Sequence, residues 1–250
     1  MSRVVEVGTP SEANKAIGGV PTVHYFDFLS RGRGEVIRIF FEDAGIAFKD
    51  HRIAFDDYNA QVKSGEINKL NPLKSLPVVE VGDAKYIQSY AILRLFARQL
   101  GKYDGKNDQE RYYVDAVNDI ASDWRTKCMR DLTDDIIKLT SLTVIDSAFQ
   151  SSENGIGPKQ AQDDLKYHKS FTAPKFAAAL NAHLSTNPLS SGGPFVLGNE
   201  ITYADFVIFQ IAHDEDWVGL DANPRLNELI QAVKARPRLA EYLKSDRYYN

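Results

Sequence analysis

The feature that most constrains the fold of this chain is a short apolar stretch that breaks abruptly into a turn, VHYFDFLSRGRGE at residues 23–35. Residues 22–25 are apolar and rich in β-formers, which predicts a strand. Residues 33–44 then place apolar side chains at helical spacing until Gly45. A strand followed closely by a helix predicts that the chain begins with a layer of mixed α and β structure.

The following residues predict the rest of this layer. Three segments carry the alternation or composition of strands: residues 48–53, 76–81 and 84–87. The last two are separated by Gly82 and Asp83, which predicts a hairpin. Residues 56–63 suit a short polar helix or loop, and Ser89 is the expected N-cap of a helix over 90–100. The order βαβ and then ββα is the thioredoxin-like arrangement.

The second part of the chain has a different period. Beyond a polar segment at 102–107, almost every periodic stretch is helical. The predicted helices span residues 108–127, 131–149, 160–184, 202–214, 223–236 and 237–244. The predicted fold class is therefore α/β plus all-α: a thioredoxin-like domain over 21–101, a linker at 102–107 and an all-helical domain over 108–250. Residues 1–20 are expected to form a loose N-terminal extension.

Composition narrows the class of protein. With 250 residues, 43% of them hydrophobic, the chain can bury a sizeable core. Its net charge of −4 leaves no electrostatic footprint for nucleic acid. The single Cys128 cannot close an intramolecular disulfide, and no stretch approaches the roughly 20 apolar residues of a membrane span. We expect a cytoplasmic protein with neither a nucleic-acid nor a membrane partner.

Three elements downstream of the opening turn complete a recognisable pattern. They follow in the order Asp56-Asp57-Tyr58, Leu76-Pro77-Val78-Val79 and Gln88-Ser89. With the Y-F…R-G-R-x-E segment before them, they resemble the thiol-peptide site of the cytosolic glutathione S-transferases. The closest resemblance is to the sigma class, which includes glutathione-dependent prostaglandin D synthases and the lens S-crystallins. The resemblance covers residues 21–242 and implies a homodimer with glutathione as co-substrate.

Tyr25 carries the expected chemistry. A phenol that donates a hydrogen bond to a sulfur favours the thiolate over the thiol, and so lowers the pKa of the thiol. The resemblance gives Tyr25 this catalytic role toward glutathione, and gives Arg33 that of strengthening the local positive field. A strand-end tyrosine with a purely structural role is the alternative. Seven residues separate Tyr25 from Arg33, two more than is usual in the sigma class, which predicts a bulge at Leu29-Ser30.

Two further elements are expected to bind the peptide. Thioredoxin-like folds place a cis-proline at the strand that faces the substrate thiol, which assigns this position to Pro77 and lets the backbone of Leu76 pair with the cysteinyl unit. A trans-proline that simply opens a strand is the alternative. The helix that begins at Gln88-Ser89 would receive the γ-glutamyl carboxylate at its N-terminus, although an N-cap without a ligand gives the same pattern.

The remaining ligand contacts are assigned by the resemblance alone. Tyr58 falls where sigma enzymes have a tryptophan, and Lys63 lies near a lysine that meets the glycyl carboxylate. The electrophile pocket is assigned by position to Phe28, Met129 and Arg130, and the arginine favours an anionic or oxygenated substrate.

A stripe of acids marks the first helix of the second domain. Asp115, Asp119 and Asp123 are spaced i,i+4 on one face, and such stripes are usually solvated. The resemblance implies that Asp123 reaches across the dimer to the γ-glutamyl amine. No metal is expected, because Ser122 replaces an acid that binds a cation in some prostaglandin synthases and the histidines lack ligand spacing.

Two other features are expected to be structural. Thr202 and Asp205 have the spacing of a helix-capping box, in which each side chain satisfies the other residue's backbone. Cys128 lacks a CxxC partner and is expected to be an inert thiol.

These residues predict a glutathione transferase that activates the glutathione thiolate for attack on soft electrophilic small molecules, in detoxification or secondary metabolism. Two alternatives stay open. The chain could be a non-catalytic ligand-binding or structural relative, or a glutathione-dependent isomerase that differs only in its electrophile pocket.

Overall fold

The computed structural model describes residues 1–27, 30–140 and 166–248, with the backbone alone over 128–140. Its strands are β1 (Arg3–Val7), β2 (Thr22–Phe26), β3 (Phe48–Ile53), β4 (Val78–Val81) and β5 (Ala84–Ile87). Its α-helices are α1 (Glu12–Ala16), α2 (Glu35–Ala44), α3 (Phe55–Ser64), α4 (Ser89–Leu100), α5 (Asp108–Thr140), α6 (Ala173–Thr186), α7 (Tyr203–Asp214), α8 (Pro224–Lys234) and α9 (Pro237–Tyr242). Short 3₁₀ turns span Glu66–Lys69 and Pro188–Ser190, and a π turn spans His168–Thr172.

Within the described residues, five strands form one mixed sheet in the order β1-β3-β2-β4-β5. β2 and β3 run parallel, with Tyr25 opposite Arg52, and α2 makes the crossover that a parallel pair requires. The other neighbouring pairs are antiparallel, and β4 and β5 form the hairpin predicted around Gly82. The thioredoxin-like order predicted from the periodicity is therefore confirmed, with helices following it in the second part of the chain.

The prediction of a loose arm over residues 1–20 is wrong. β1 pairs antiparallel with β3, with Val5 opposite Asp50. After β1, the side chain of Asn14 in α1 accepts a hydrogen bond from the Ala47 N–H at 2.9 Å and donates one to the Ala47 carbonyl at 2.8 Å. The extension thus covers the edge of β3, where an unpaired strand would expose its backbone groups.

Helix boundaries differ from the prediction mainly in α5. The predicted helices over 108–127 and 131–149 are one continuous helix as far as Thr140, and residues 141–165 lie outside the described part of the chain. The capping box of α7 is confirmed, because Asp205 Oδ2 accepts from the Thr202 N–H at 2.7 Å and from Thr202 Oγ1 at 2.8 Å. Across the described residues, no helix is both long and apolar enough to cross a membrane.

One apolar core continues from the sheet into the helices. The Phe40 ring of α2 lies 5.1 Å from the ring of Tyr103 and 5.9 Å from that of Phe206 in α7. Trp124 of α5 is fully buried and its ring lies parallel to that of Phe176 in α6. The helical part therefore packs directly on α2, the helix that follows the arginine-rich turn.

A buried ionic cluster fixes α2 against β3. Arg38 Nε donates to Asp50 at 2.9 Å and Arg38 Nη1 donates to Glu35 at 3.1 Å. Arg52 donates to the second oxygen of Asp50 at 2.7 Å. The Tyr242 hydroxyl of α9 donates to Glu35 at 2.6 Å, so the cluster also ties the helical part to the sheet. Removing one partner of such a cluster leaves a buried charge uncompensated, which costs about 3–5 kcal/mol.

Candidate functional site

Tyr25 lies near the end of β2 and is only 6% exposed. Its ring packs directly on the backbone at the start of α2: a Cβ at Gly34 would lie 2.2 Å from Tyr25 Cγ, well inside van der Waals contact. The Arg38 guanidinium lies 5.8 Å from the centre of the same ring. The absence of a side chain at Gly34 therefore gives Tyr25 its place in the fold.

The Tyr25 hydroxyl is the acceptor of a hydrogen bond from the Arg33 backbone N–H, at 3.1 Å. Burial raises the pKa of this phenol, although the Arg33 N–H and the positive charge of Arg125 act in the opposite direction. The phenol is therefore held in its protonated form at neutral pH. A hydroxyl that accepts through a lone pair keeps its own O–H as a donor, which is the form that can stabilise a thiolate.

Arg33 contributes through its main chain. Its guanidinium lies 5.8 Å from the centre of the Tyr90 ring, while its N–H faces Tyr25. The resemblance named Arg33, but the spacing alone did not show which of its groups reaches the phenol. Phe28, expected in the electrophile pocket, and Leu29, in the predicted bulge, lie outside the described residues.

The turn that carries Arg33 is held by the far end of α7. The Gly32 N–H donates to Asp214 Oδ2 at 3.1 Å, and Arg31 donates to the Asp214 carbonyl at 3.2 Å. Asp214 also forms a buried ion pair with Arg125 of α5. Burial raises the pKa of the Asp214 carboxyl, but Arg125 and the other donors outweigh this effect and hold the pKa below its usual value. Sequence reasoning missed Asp214, because nothing in its local pattern links it to a turn in the other half of the chain.

The second expected element meets Tyr25 at the same edge of the sheet. The Leu76–Pro77 bond is cis, as expected for the proline of a thioredoxin-like fold. β4 pairs with β2 so that His24 is opposite Val78, and extending this register by one residue sets Pro77 opposite Tyr25. The backbone of Leu76 thus lies beside the end of the strand that carries the phenol.

The third element follows by the same pairing. Ile87 at the end of β5 is opposite Val78 at the start of β4, so Gln88 and Ser89 come to the same edge. Gln88, with φ of 71°, occupies the N-cap position and α4 begins at Ser89, so the prediction of Ser89 as N-cap is wrong by one residue. The backbone N–H groups of the first turn of α4 have no acceptor within their own helix and can donate to an anion.

The residues expected at the glycyl end lie on α3. The Tyr58 hydroxyl donates to the Lys74 carbonyl at 2.6 Å, and its ring meets that of Phe26 edge to face at 4.9 Å. Lys63 is exposed on the same helix. Tyr58 therefore links α3 to the loop that leads into Leu76.

The acidic stripe on α5 divides into two parts. Asp115 is bound internally, accepting from Arg94 at 2.7 Å and from the Tyr203 hydroxyl. Asp119 and Asp123 are exposed. The side chains of Met129 and Arg130 lie outside the described part of the structure. In the portion of the chain that is described, no group of three or more His, Cys, Asp or Glu residues is arranged to hold a metal ion.

Comparison with known proteins agrees with this architecture. The sequence matches the family models "Glutathione S-transferase, N-terminal domain" over residues 21–98 and "Glutathione S-transferase, C-terminal domain" over residues 147–246. S-crystallin 3 of Enteroctopus dofleini is 28% identical, over 89% of this chain and 95% of the relative. Glutathione S-transferase P 1 of Bufo bufo is 30% identical, over 90% of this chain and 92% of the relative.

A solved structure shows the same fold. The Pi-class glutathione S-transferase of Onchocerca volvulus superposes with a TM-score of 0.63 at 28% identity, over 90% of this chain and 92% of that one. The two family models, the relatives along most of their length and the shared fold lead to one conclusion: the chain belongs to the glutathione S-transferase family, with a sigma-like pattern in its first domain.

Proposed function

We propose that this protein binds glutathione at the edge formed by the ends of β2, β4 and β5, and activates its thiol for attack on soft electrophilic small molecules. The observation that carries the proposal is the Tyr25 hydroxyl, which is buried at the end of β2 and accepts the Arg33 N–H at 3.1 Å. A phenol that accepts at its oxygen can still donate its O–H in a hydrogen bond, and an anion that accepts it is stabilised.

The proposed chemistry needs few groups. The glutathione S–H loses its proton to solvent, and the Tyr25 O–H donates to the resulting thiolate. A thiolate lone pair attacks the electrophilic carbon, so that a C–S bond forms and either a leaving group departs or an addition product takes up a proton. Leu76 pairs with the cysteinyl backbone, Gln88 and Ser89 receive the γ-glutamyl carboxylate, and Tyr58 and Lys63 lie toward the glycyl end.

We propose that the active form is a homodimer in which Asp123 of one subunit completes the glutathione site of the other. Asp123 is exposed on α5, as this role requires. Two large apolar side chains support an interface: Leu73, just before Leu76, is 70% exposed, and Tyr112, on the same helix as Asp123, is 73% exposed. Burying such side chains against a second copy would remove apolar surface from water.

The electrophile pocket is proposed at Phe28, Met129 and Arg130, and the cytoplasm is the proposed location. The second candidate function is a structural, non-catalytic role, which is favoured by the similarity to an S-crystallin. The Tyr25 phenol, whose oxygen accepts the Arg33 N–H, supports catalysis instead, since a structural protein has no need of an oriented donor at this edge.

The test combines binding and turnover. We expect glutathione to bind in calorimetry and a general aryl halide to be conjugated. Tyr25→Phe should raise the pKa of the bound thiol by about one to two units, because one hydrogen bond to the anion is lost. Tyr167→Phe, at an exposed tyrosine of the helical part, serves as the matched control. Glutathione binding without turnover would favour the structural role, and an unchanged thiol pKa in Tyr25→Phe would remove Tyr25 from the mechanism.

A further inference from the structure

We propose that Asp214 is a positioning residue for Tyr25, because it fixes the turn that presents the Arg33 N–H to the Tyr25 hydroxyl. The inference rests on the proposed function, since it concerns the same phenol. Asp214 belongs to the last turn of α7 and reaches Tyr25 through two consecutive residues of the turn, Gly32 and Arg33.

Asp214 is a junction of three segments of the chain. Its carboxylate accepts from the Gly32 N–H of the turn at 3.1 Å, from Gln210 Nε2 of α7 at 2.9 Å, and from Arg125 of α5. Its carbonyl accepts from Arg31 Nη1 at 3.2 Å. Its side chain is only 6% exposed, so these bonds form away from competing water.

The link to Tyr25 passes through two consecutive amides. The Gly32 N–H donates to Asp214, and the next N–H, that of Arg33, donates to Tyr25 at 3.1 Å. Gly32 has φ of 79°, a left-handed conformation that aims the two successive N–H groups at separate acceptors. The bond from Arg33 to Tyr25 is near the long end of the usual N–H···O range, so a shift of Gly32 that lengthens or tilts it would weaken it.

The turn over residues 30–33 is anchored to α7 by more than one side chain. Asp214 and Gln210 supply the anchor, since Gln210 also donates to the Ser30 carbonyl at 3.4 Å.

A positioning role and a purely electrostatic role for Asp214 predict opposite changes in the pKa of bound glutathione. The negative charge of Asp214 raises the pKa of Tyr25 and should likewise disfavour a nearby thiolate. If Asp214 acted only as a charge, neutralising it would lower the pKa of bound glutathione. If it holds the turn, removing the acceptor of the Gly32 N–H would raise that pKa.

The experiment compares Asp214→Ala with Asp214→Asn in the full-length protein saturated with glutathione. Ultraviolet titration of the thiolate should show a rise of up to about one pKa unit in Asp214→Ala, the loss of about one neutral hydrogen bond at the phenol. Asp214→Asn keeps an oxygen that accepts the Gly32 N–H, so its thiol pKa should stay at or below that of the wild type. Asp216→Asn is the matched control, because Asp216 is 59% exposed and also bonds Arg31.

Hydrogen exchange gives a second reading that needs no turnover. The Arg33 amide should exchange faster in Asp214→Ala than in Asp214→Asn or the wild type. If loss of the ion pair with Arg125 prevents folding, Arg125→Leu combined with Asp214→Ala removes both charges, and the exchange rate of the Arg33 amide then carries the test.

An unchanged thiol pKa in a folded Asp214→Ala protein, with the Arg33 amide still protected, would overturn the positioning role. A lower pKa in both variants would overturn it in favour of a simple charge effect. A wild-type protein that does not bind glutathione would instead refute the proposed function, and the exchange rate of the Arg33 amide would then decide the positioning role alone.

Discussion

Gly34→Ala should displace the Tyr25 ring although residue 25 itself is unchanged. Gly34 has φ of −80° and ψ of −31°, a conformation that alanine adopts readily, so the backbone carries no penalty. The added Cβ would lie 2.2 Å from Tyr25 Cγ, 2.3 Å from Cδ1 and 2.7 Å from Cβ. The ring or the start of α2 must therefore move.

The expected loss of stability follows from these close contacts. Overpacking of this kind typically lowers the free energy of unfolding by about 1–3 kcal/mol. For a chain of this size, each kcal/mol lowers the melting temperature by roughly 2–4 °C, so a fall of about 2–12 °C is expected. A displaced ring also loses the Arg33 N–H, so the pKa of bound glutathione should rise by about one unit or more.

A double-mutant cycle with Tyr25→Ala tests the cause. Removing the ring abolishes the contacts at 2.2 and 2.3 Å and leaves the contact with Cβ at 2.7 Å. Gly34→Ala should then cost at least about 1 kcal/mol less than it does beside the tyrosine, measured by denaturant unfolding. Equal costs in the two backgrounds would refute the packing argument, since the penalty would then come from elsewhere in α2.

Three further outcomes are expected. Ser89→Ala should weaken glutathione binding in calorimetry by roughly one to two powers of ten, because a charge-assisted hydrogen bond is lost. The melting curve should change little, because Gln88 occupies the N-cap position. Lost stability with unchanged affinity would contradict the proposed site. Deleting residues 2–7 should speed amide exchange in α3, because the Ser2 N–H and Oγ donate to Asp57 at 2.5 and 2.6 Å, and intact protection there would argue against this anchor. Asp214 has a lowered pKa in the folded state, so its contribution to stability is complete above about pH 4 and is lost as pH falls through the folded pKa. Asp214→Asn should therefore flatten the acid part of the curve of unfolding free energy against pH. An equally steep acid part in the variant would contradict the assignment.

Local patterns in the sequence were sufficient to predict most of the helices and strands. The alternation of residues 84–87, the spacing in α2 and the box between Thr202 and Asp205 depend on neighbours within a few positions, so they can be read without a fold. The thioredoxin-like order of strands was enough to predict that Tyr25, Pro77 and Ser89 meet at one edge of the sheet.

The features that local patterns did not predict depend on contacts between residues far apart in the sequence. β1 is mostly exposed and has its place through pairing with the edge of β3, while Asp214 meets the turn at Gly32 from 182 residues away. Asp115 of the acidic stripe on α5 forms an ion pair with Arg94. The main chain of Arg33, rather than its guanidinium, contacts Tyr25. The sequence determines which residues can donate, accept or pack, because those are properties of each side chain and its near neighbours. Only the tertiary structure decides which partners they meet, because the pairing depends on surfaces that exist once the chain has closed on itself.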